Sequence, residues 1–335
     1  MKSLFLAIFL IYSGTVFGAD KAVNPIKVKW VLAHEPIDLF KIAADSFTKE
    51  VTAKTNGGVV FEVMSLPEYE AKYNNNKKIP HRHFVSKIQN NSIEMSQTYT
   101  TDLGRLSQPM YALDLPYLFR DHAHAQKVLE GNVGEELLAG LASKNIRGLA
   151  FTYSGGYRII PGVKKITSVE DFKGLKIRTS LSPVARDTFE LLGAKTYAMT
   201  LDEIDEGIRS GKINEAESTY ARYFPMGQNK VANIVNETHH SLFLTSIIMN
   251  ETFWKSLPEN YRVIMKEAAV NAARLERDHS VKVGVETREK CLKEGVEIVT
   301  MSKAEEAKMK AALQPIYTKY SPILGKDLIA SIIAQ

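Results

Sequence analysis

Residues 257–295, LPENYRVIMKEAAVNAARLERDHSVKVGVETREKCLKEG, constrain the fold more than any other stretch. Tyr261, Ile264, Met265, Ala268, Ala272 and Leu275 recur at helical spacing, and Pro258 stands where a helix would begin. A helix of roughly 36 residues runs about 54 Å at 1.5 Å per residue. That is longer than one small domain is wide. Such a helix must lie along two lobes or break near Gly284. At 335 residues the chain has room for two domains of ordinary size.

Upstream of that stretch, strand and helix signals alternate. IKVKWVL (26–32) reads as a first strand. Residues 36–53 place Phe40, Ala43, Ala44, Phe47 and Val51 on one helical face. Strands follow at 59–63, 92–98, 145–154, 174–179 and 195–199, with helices at 83–90, 183–192 and 201–210. SLFLTSIIMN (241–250) reads as a fully buried strand, and 66–82 as a polar insertion. This order is that of an α/β protein with a largely parallel sheet.

The first eighteen residues, MKSLFLAIFLIYSGTVFG, read as a secretory signal peptide. Lys2 supplies the positive start, Leu4 to Tyr12 the short apolar core, and Gly18 ends a cleavage-site pattern. No later window approaches eighteen apolar residues, so the exported chain is expected to be soluble. Its one cysteine, Cys291, has no disulfide partner in the chain. An exported chain of this length stands on its core without disulfides, and the compartment expected is a periplasm. A net charge of +5 is too small and too dispersed to point to nucleic acid.

Motifs for bond-breaking chemistry are missing. Around Ser154 the sequence is TYSGG, with Thr152 where a nucleophile elbow needs glycine. Neither a dinucleotide fingerprint nor a phosphate-binding loop occurs. His34-Glu35 begins like a zinc-protease motif, but Asp38 takes the place of the second histidine. The pairs His81/His83, His122/His124 and His239/His240 fall in polar segments and read as surface histidines. Cys291 lacks a nearby base.

Two arginines stand out instead. In FKGLKIRTSLSP (172–183), Leu175 and Ile177 alternate with Lys176 and Arg178, so Arg178 ends a half-buried strand. Arg158 follows the small-residue turn Ser154-Gly155-Gly156 after an apolar strand. Ligands of open α/β sheets bind beyond the carboxyl ends of strands, where a planar guanidinium matches a carboxylate bidentately.

Several blocks then resemble one family. LDLPYLFRDHAHAQKVLEGNVG (113–134), GLAFTYSGGYRII (148–160), ITSVEDFKGLKIRTSLSP (166–183), LLGAKTYAMTLDEIDEGIRSGKINEAEST (191–219) and MNETFWKSLPENYR (249–262) are similar to solute-binding proteins of tripartite ATP-independent periplasmic (TRAP) transporters, DctP-like. The resemblance implies an α/β, two-lobed periplasmic-binding-protein-like fold, with a ligand cleft between lobes and a long helix spanning both. Residues 24–155 plus 243–284 would form the first lobe, and 156–242 plus 285–335 the second. Arg178 would hold the carboxylate of a small organic acid, helped by Arg158. Ser218 stands where relatives carry an asparagine, and Gln97, Thr98 and Tyr99 replace the usual first-lobe wall. The expected ligand-binding set is Arg178, Arg158, Ser218, Tyr99, Gln97, Ser180 and Tyr220. Membrane permease subunits are the implied partners, and no cofactor, metal or catalytic residue is implied. A monomer is expected. The alternatives are a ligand receptor for a membrane sensor and a periplasmic hydrolase.

Overall fold

The structure is a computed structural model that describes residues 24–335; the leader read at 1–18 lies outside them. Four strands come first in the chain: β1 (Ile26–Leu32), β2 (Val59–Ser65), β3 (Met95–Tyr99) and β4 (Ile146–Tyr157). Five short ones follow: β5 (Ile160–Gly162), β6 (Lys176–Thr179), β7 (Lys195–Ala198), β8 (Glu215–Ala216) and β9 (Ile234–Glu237). The apolar run at 241–250 is β10 (Leu242–Asn250), every residue buried, and β11 is Glu297–Thr300.

These strands form two sheets, ordered β2-β1-β3-β10-β4 and β11-β9-β5-β8-β6-β7. The chain therefore leaves the first sheet after Tyr157, returns at Leu242, and leaves it again through the long helix to β11. Both sheets are mixed. β1 runs parallel to β2 and β3, but the returning β10 is antiparallel to β3 and β4. In the second sheet β6 is parallel to β7 and β8, while β5 runs against β8 and β9. The parallel expectation holds for β1 with β2 and β3, β6 with β7 and β8, and β9 with β11; β10, crossing back from the second sheet, runs antiparallel to both its neighbours.

The crossing out of the first sheet is cut by glycine. Gly155 has φ of +94°, and a Cβ there would lie 2.3 Å from Thr219 Oγ1. The pairing of β10 with β4 slips between Phe243 and Leu244, a bulge that bends the strand toward the second sheet. The motif at 115–119 braces the return crossing: Tyr117 N donates to His240 O at 2.6 Å and Tyr117 Oη to Thr238 O at 3.1 Å.

The long helix is unbroken over Glu259–Lys293, 35 residues and about 52 Å. It lies against β4, the Ile37–Lys54 helix, the short Tyr220–Tyr223 helix and β11, and so touches elements of both sheets. Its buried face is Met265, Ala268, Ala269, Ala272, Ala273, Glu276 and Ser280; Leu275 points to solvent. Alanines on that face let the helix approach its neighbours closely. Cys291, further along, sits in a small core with Ile159, Tyr220, Tyr223 and Val235, where burial pushes its thiol up to about 11. The carboxyl-terminal helices, expected in the second lobe, touch both stretches. Lys319 and Tyr320 bond Asp187, while Tyr317 Oη reaches Pro116 O at 2.8 Å. The polar insertion is also structured: Leu66–Tyr73 is a helix with a Ser65–Glu68 capping box.

Gly284 lies inside the long helix with no atom within 4 Å of an added Cβ. Gly284→Ala should therefore raise unfolding stability by about 0.5–1 kcal/mol, read as a higher denaturant midpoint at unchanged slope.

Candidate functional site

A cavity of about 480 Å³ opens between the sheets. Its first wall comes from the carboxyl ends of two parallel strands: Ala33, His34 and Glu35 after β1, and Tyr99, Thr101 and Asp102 at the end of β3, with His81 beside them. The opposite wall comes from Arg178, Ser180 and Leu181 of β6 and its turn, and from Met199 to Asp202 after β7. Phe243 of β10 closes the back. Both sheets thus aim strand ends at one crevice, as open α/β sheets do.

Arg178 is buried, at 4% exposure, yet borders this cavity. Its Nε donates to Met199 O at 2.8 Å and its Nη1 to Glu217 O at 3.0 Å. Among the described residues no bond engages Nη2. Two backbone carbonyls hold the guanidinium in place, and Nη2 keeps its donors. Burial pulls its pKa down to about 10, so it stays charged at neutral pH.

Two more guanidiniums lie behind the cavity wall. Arg158 stacks 3.8 Å from the centre of the Phe243 ring, its Nε 3.7 Å from Glu217 Oε1 and its Nη1 without a partner. Arg222 is fully buried; its Nη2 bonds Ser154 Oγ at 2.5 Å and lies 3.5 Å from Tyr99 Oη. Its cation also lies 4.9 Å from the Phe243 ring centre. Against these stands Glu217, which accepts from Ser180 N at 2.9 Å and meets His240 Nε2 at 3.1 Å. Burial works to raise its pKa, but Arg158 and His240 overcome it and hold the carboxylate down at about 2. Asp114, near Arg158, is lifted by burial to about 6, and Glu276, near Arg222, by burial to about 8. Three guanidiniums therefore cluster around Glu217 behind and beside the cavity, while Glu35, Asp102 and Asp202 border the cavity itself.

On the first wall His34, His81 and Asp102 converge. His81 Nε2 lies 3.4 Å from His34 Nδ1 and 3.5 Å from Asp102 Oδ2. His34 Nε2 meets Thr98 Oγ1 at 3.2 Å, and the His34 ring packs 3.9 Å from that of Tyr99. Burial first, then His81 and Arg222, keeps His34 well below the usual histidine range.

The residues singled out from sequence fall into three groups. Arg178, Ser180 and Tyr99 border the cavity. Arg158 and Ser218 lie one layer behind it, and Ser180 Oγ and Ser218 Oγ have no protein partner. Gln97 and Tyr220 do not face it. Gln97 Nε2 is bonded to Thr152 Oγ1 and Thr245 Oγ1 inside the first sheet, at 2.8 and 3.0 Å. Tyr220 Oη bonds Glu237 Oε1 at 2.8 Å in the core around Cys291. The surface reading of the histidine pairs is also corrected: His124 and His240 are buried, and His81 borders the cavity. Sequence reasoning missed Arg222, Glu217 and His34. Arg222 lies two residues beyond Tyr220, on the other side of one helical turn.

The family described as "Bacterial extracellular solute-binding protein, family 7" (DctP) matches residues 33–322. The C4-dicarboxylate-binding periplasmic protein DctP of Rhodobacter capsulatus is 26% identical over 317 residues, 93% of this chain and 91% of that protein. The C4-dicarboxylate-binding protein DctB of Bacillus subtilis is 25% identical over 293 residues, 87% of this chain and 81% of that one. Among solved structures, a TRAP periplasmic solute-binding protein from Xanthobacter autotrophicus Py2 with bound β-D-galacturonate superposes with a TM-score of 0.79. It is 27% identical, over 92% of this chain and 99% of that one.

Glu217 gives the site a measurable pH signature. Its folded pKa of about 2 lies below the ordinary 4.5, so its contribution to stability is complete above about pH 4.5 and is lost as pH falls through about 2. Glu217→Gln should cost roughly 3–5 kcal/mol at pH 7, because it strands buried cations. The difference from wild type, followed by denaturant unfolding, should shrink between pH 4.5 and pH 2.

Proposed function

The chain belongs to family 7 of the bacterial extracellular solute-binding proteins, the DctP family of TRAP transporters, and from that premise we propose that it captures a small organic acid by its carboxylate and delivers it to a membrane permease. Proteins of this family are binding components of transport systems and not enzymes. They are periplasmic, which is where the leader-like first eighteen residues would send this chain.

The observation that carries the reading is Arg178. Two carbonyls fix its guanidinium, and its remaining edge borders the cavity. A carboxylate seated there would receive parallel donors without further ordering of the side chain. Ser180 supplies a further unpartnered hydroxyl, and Tyr99 and Phe243 an aromatic floor. The dicarboxylates of the two curated relatives and the galacturonate of the Xanthobacter protein are all carboxylates, which supports the same class here.

Capture then proceeds by hinge motion. The open protein admits the acid; closing the sheets over it removes the ion pair from water, where pairing offsets the cost of burying charge. The paired crossings at 157–160 and 237–242 are the natural hinges, since each joins one sheet to the other over a few residues.

A thermal-shift screen of mono- and dicarboxylates, keto acids, sugar acids and amino acids tests this. A true cargo at 100 times its dissociation constant should add about 2.7 kcal/mol of stability. Arg178→Ala should abolish the shift while the free protein still folds, and Arg178→Lys should weaken it by losing the fork. Equal shifts for Arg178→Ala and wild type would refute the carboxylate anchor.

A further inference from the structure

The contacts among His34, His81 and Asp102 are poor hydrogen bonds. At 3.4 and 3.5 Å both are longer than ordinary hydrogen bonds of 2.7–3.2 Å, and among the described residues His81 Nδ1 has no partner. Yet all three residues border the cavity, and one ligand atom from each lies within 4.8 Å of the others. Zinc bonds of about 2.0–2.2 Å place neighbouring donors of a tetrahedron about 3.3–3.5 Å apart. The two spacings made by His81 match neighbouring ligands of one ion, and the third pair, His34 and Asp102, lies within 4.8 Å.

We propose that His34 Nδ1, His81 Nε2 and Asp102 Oδ2 hold a divalent ion of the zinc class on the first wall of the cleft. Two imidazoles and one carboxylate are a donor set such ions accept, and three protein ligands leave a position open toward the cavity. Thr98 Oγ1, 3.2 Å from His34 Nε2, is the acceptor that would keep the proton on that nitrogen and leave Nδ1 bare for metal. Thr98 is itself fully buried, so this outer partner is fixed. His81 is half-buried at the cavity edge, which gives the ion a way in.

The ion sharpens the cargo class, and this part rests on the carboxylate reading above. With Arg178 on one wall taking the carboxylate, the open metal position on the other takes a second oxygen. The acids favoured are those with a hydroxyl or keto oxygen besides the carboxylate, such as hydroxy acids, keto acids and sugar acids.

The test uses the purified chain stripped with a chelator and titrated with Zn²⁺ by calorimetry and with Co²⁺ by visible absorption. One Zn²⁺ per chain and Co²⁺ d–d bands are expected. His81→Ala and Asp102→Asn should each weaken uptake by more than the roughly 10–100-fold that losing an outer-shell partner costs. His83→Ala, an exposed residue on the same helix, should leave uptake unchanged. Absence of uptake, or equal uptake by wild type, His81→Ala and Asp102→Asn variants that melt normally, would overturn the site. Binding of organic acids is measured separately with chelator present. Acid binding without metal uptake leaves the transport reading standing and removes this one; metal uptake without acid binding does the reverse.

Discussion

Burying a guanidinium in a cleft is expensive unless its donors are met, and this protein buries three around one cavity. The structure meets that cost only in part. Arg178 gives two donors to backbone carbonyls, and Arg222 is bonded to Ser154, but Nη1 of Arg158 and Nε of Arg222 remain without partners. Glu217 is the carboxylate set among these cations, and Arg158 and His240 hold it ionised against the effect of burial. Of the three guanidiniums only that of Arg178 borders the cavity.

The rest of the architecture brings opposite walls to one cavity. Each sheet contributes the carboxyl ends of parallel strands, and neither wall alone encloses a molecule. The unbroken 35-residue helix lies against elements of both sheets, while the strand crossings join them through a few residues. Gly155 lets β4 bend away at the cleft, and Tyr117 ties the 115–119 segment to the returning strand. Tyr117 thus braces the crossing between the sheets and does not line the cavity.

Much of this was legible in the chain. The two-residue alternation in FKGLKIR delivers Arg178 to a strand end, and the apolar run at 241–250 is a fully buried strand between β3 and β4. What misled the reading was direction over short distances. Gln97 and Tyr99 share a face of β3, but two residues span about 6.6 Å, enough to leave Gln97 inside the sheet and Tyr99 at the rim. Tyr220 and Arg222 lie on opposite sides of one helical turn, so the block that suggested a tyrosine at the site instead supplies an arginine. His34 and His81 are 47 residues apart in sequence, and no local spacing joins them.

The sequence by itself determined the alternating strands and helices, the long helix and the charged strand end, because each follows from periodicity within a few residues. Only the tertiary structure decided which charges share a cavity. Arg158, Arg178 and Arg222 meet Glu217, and His34 meets His81 and Asp102, because two sheets fold toward each other. Electrostatic interactions depend on distance in space, which local pattern does not encode.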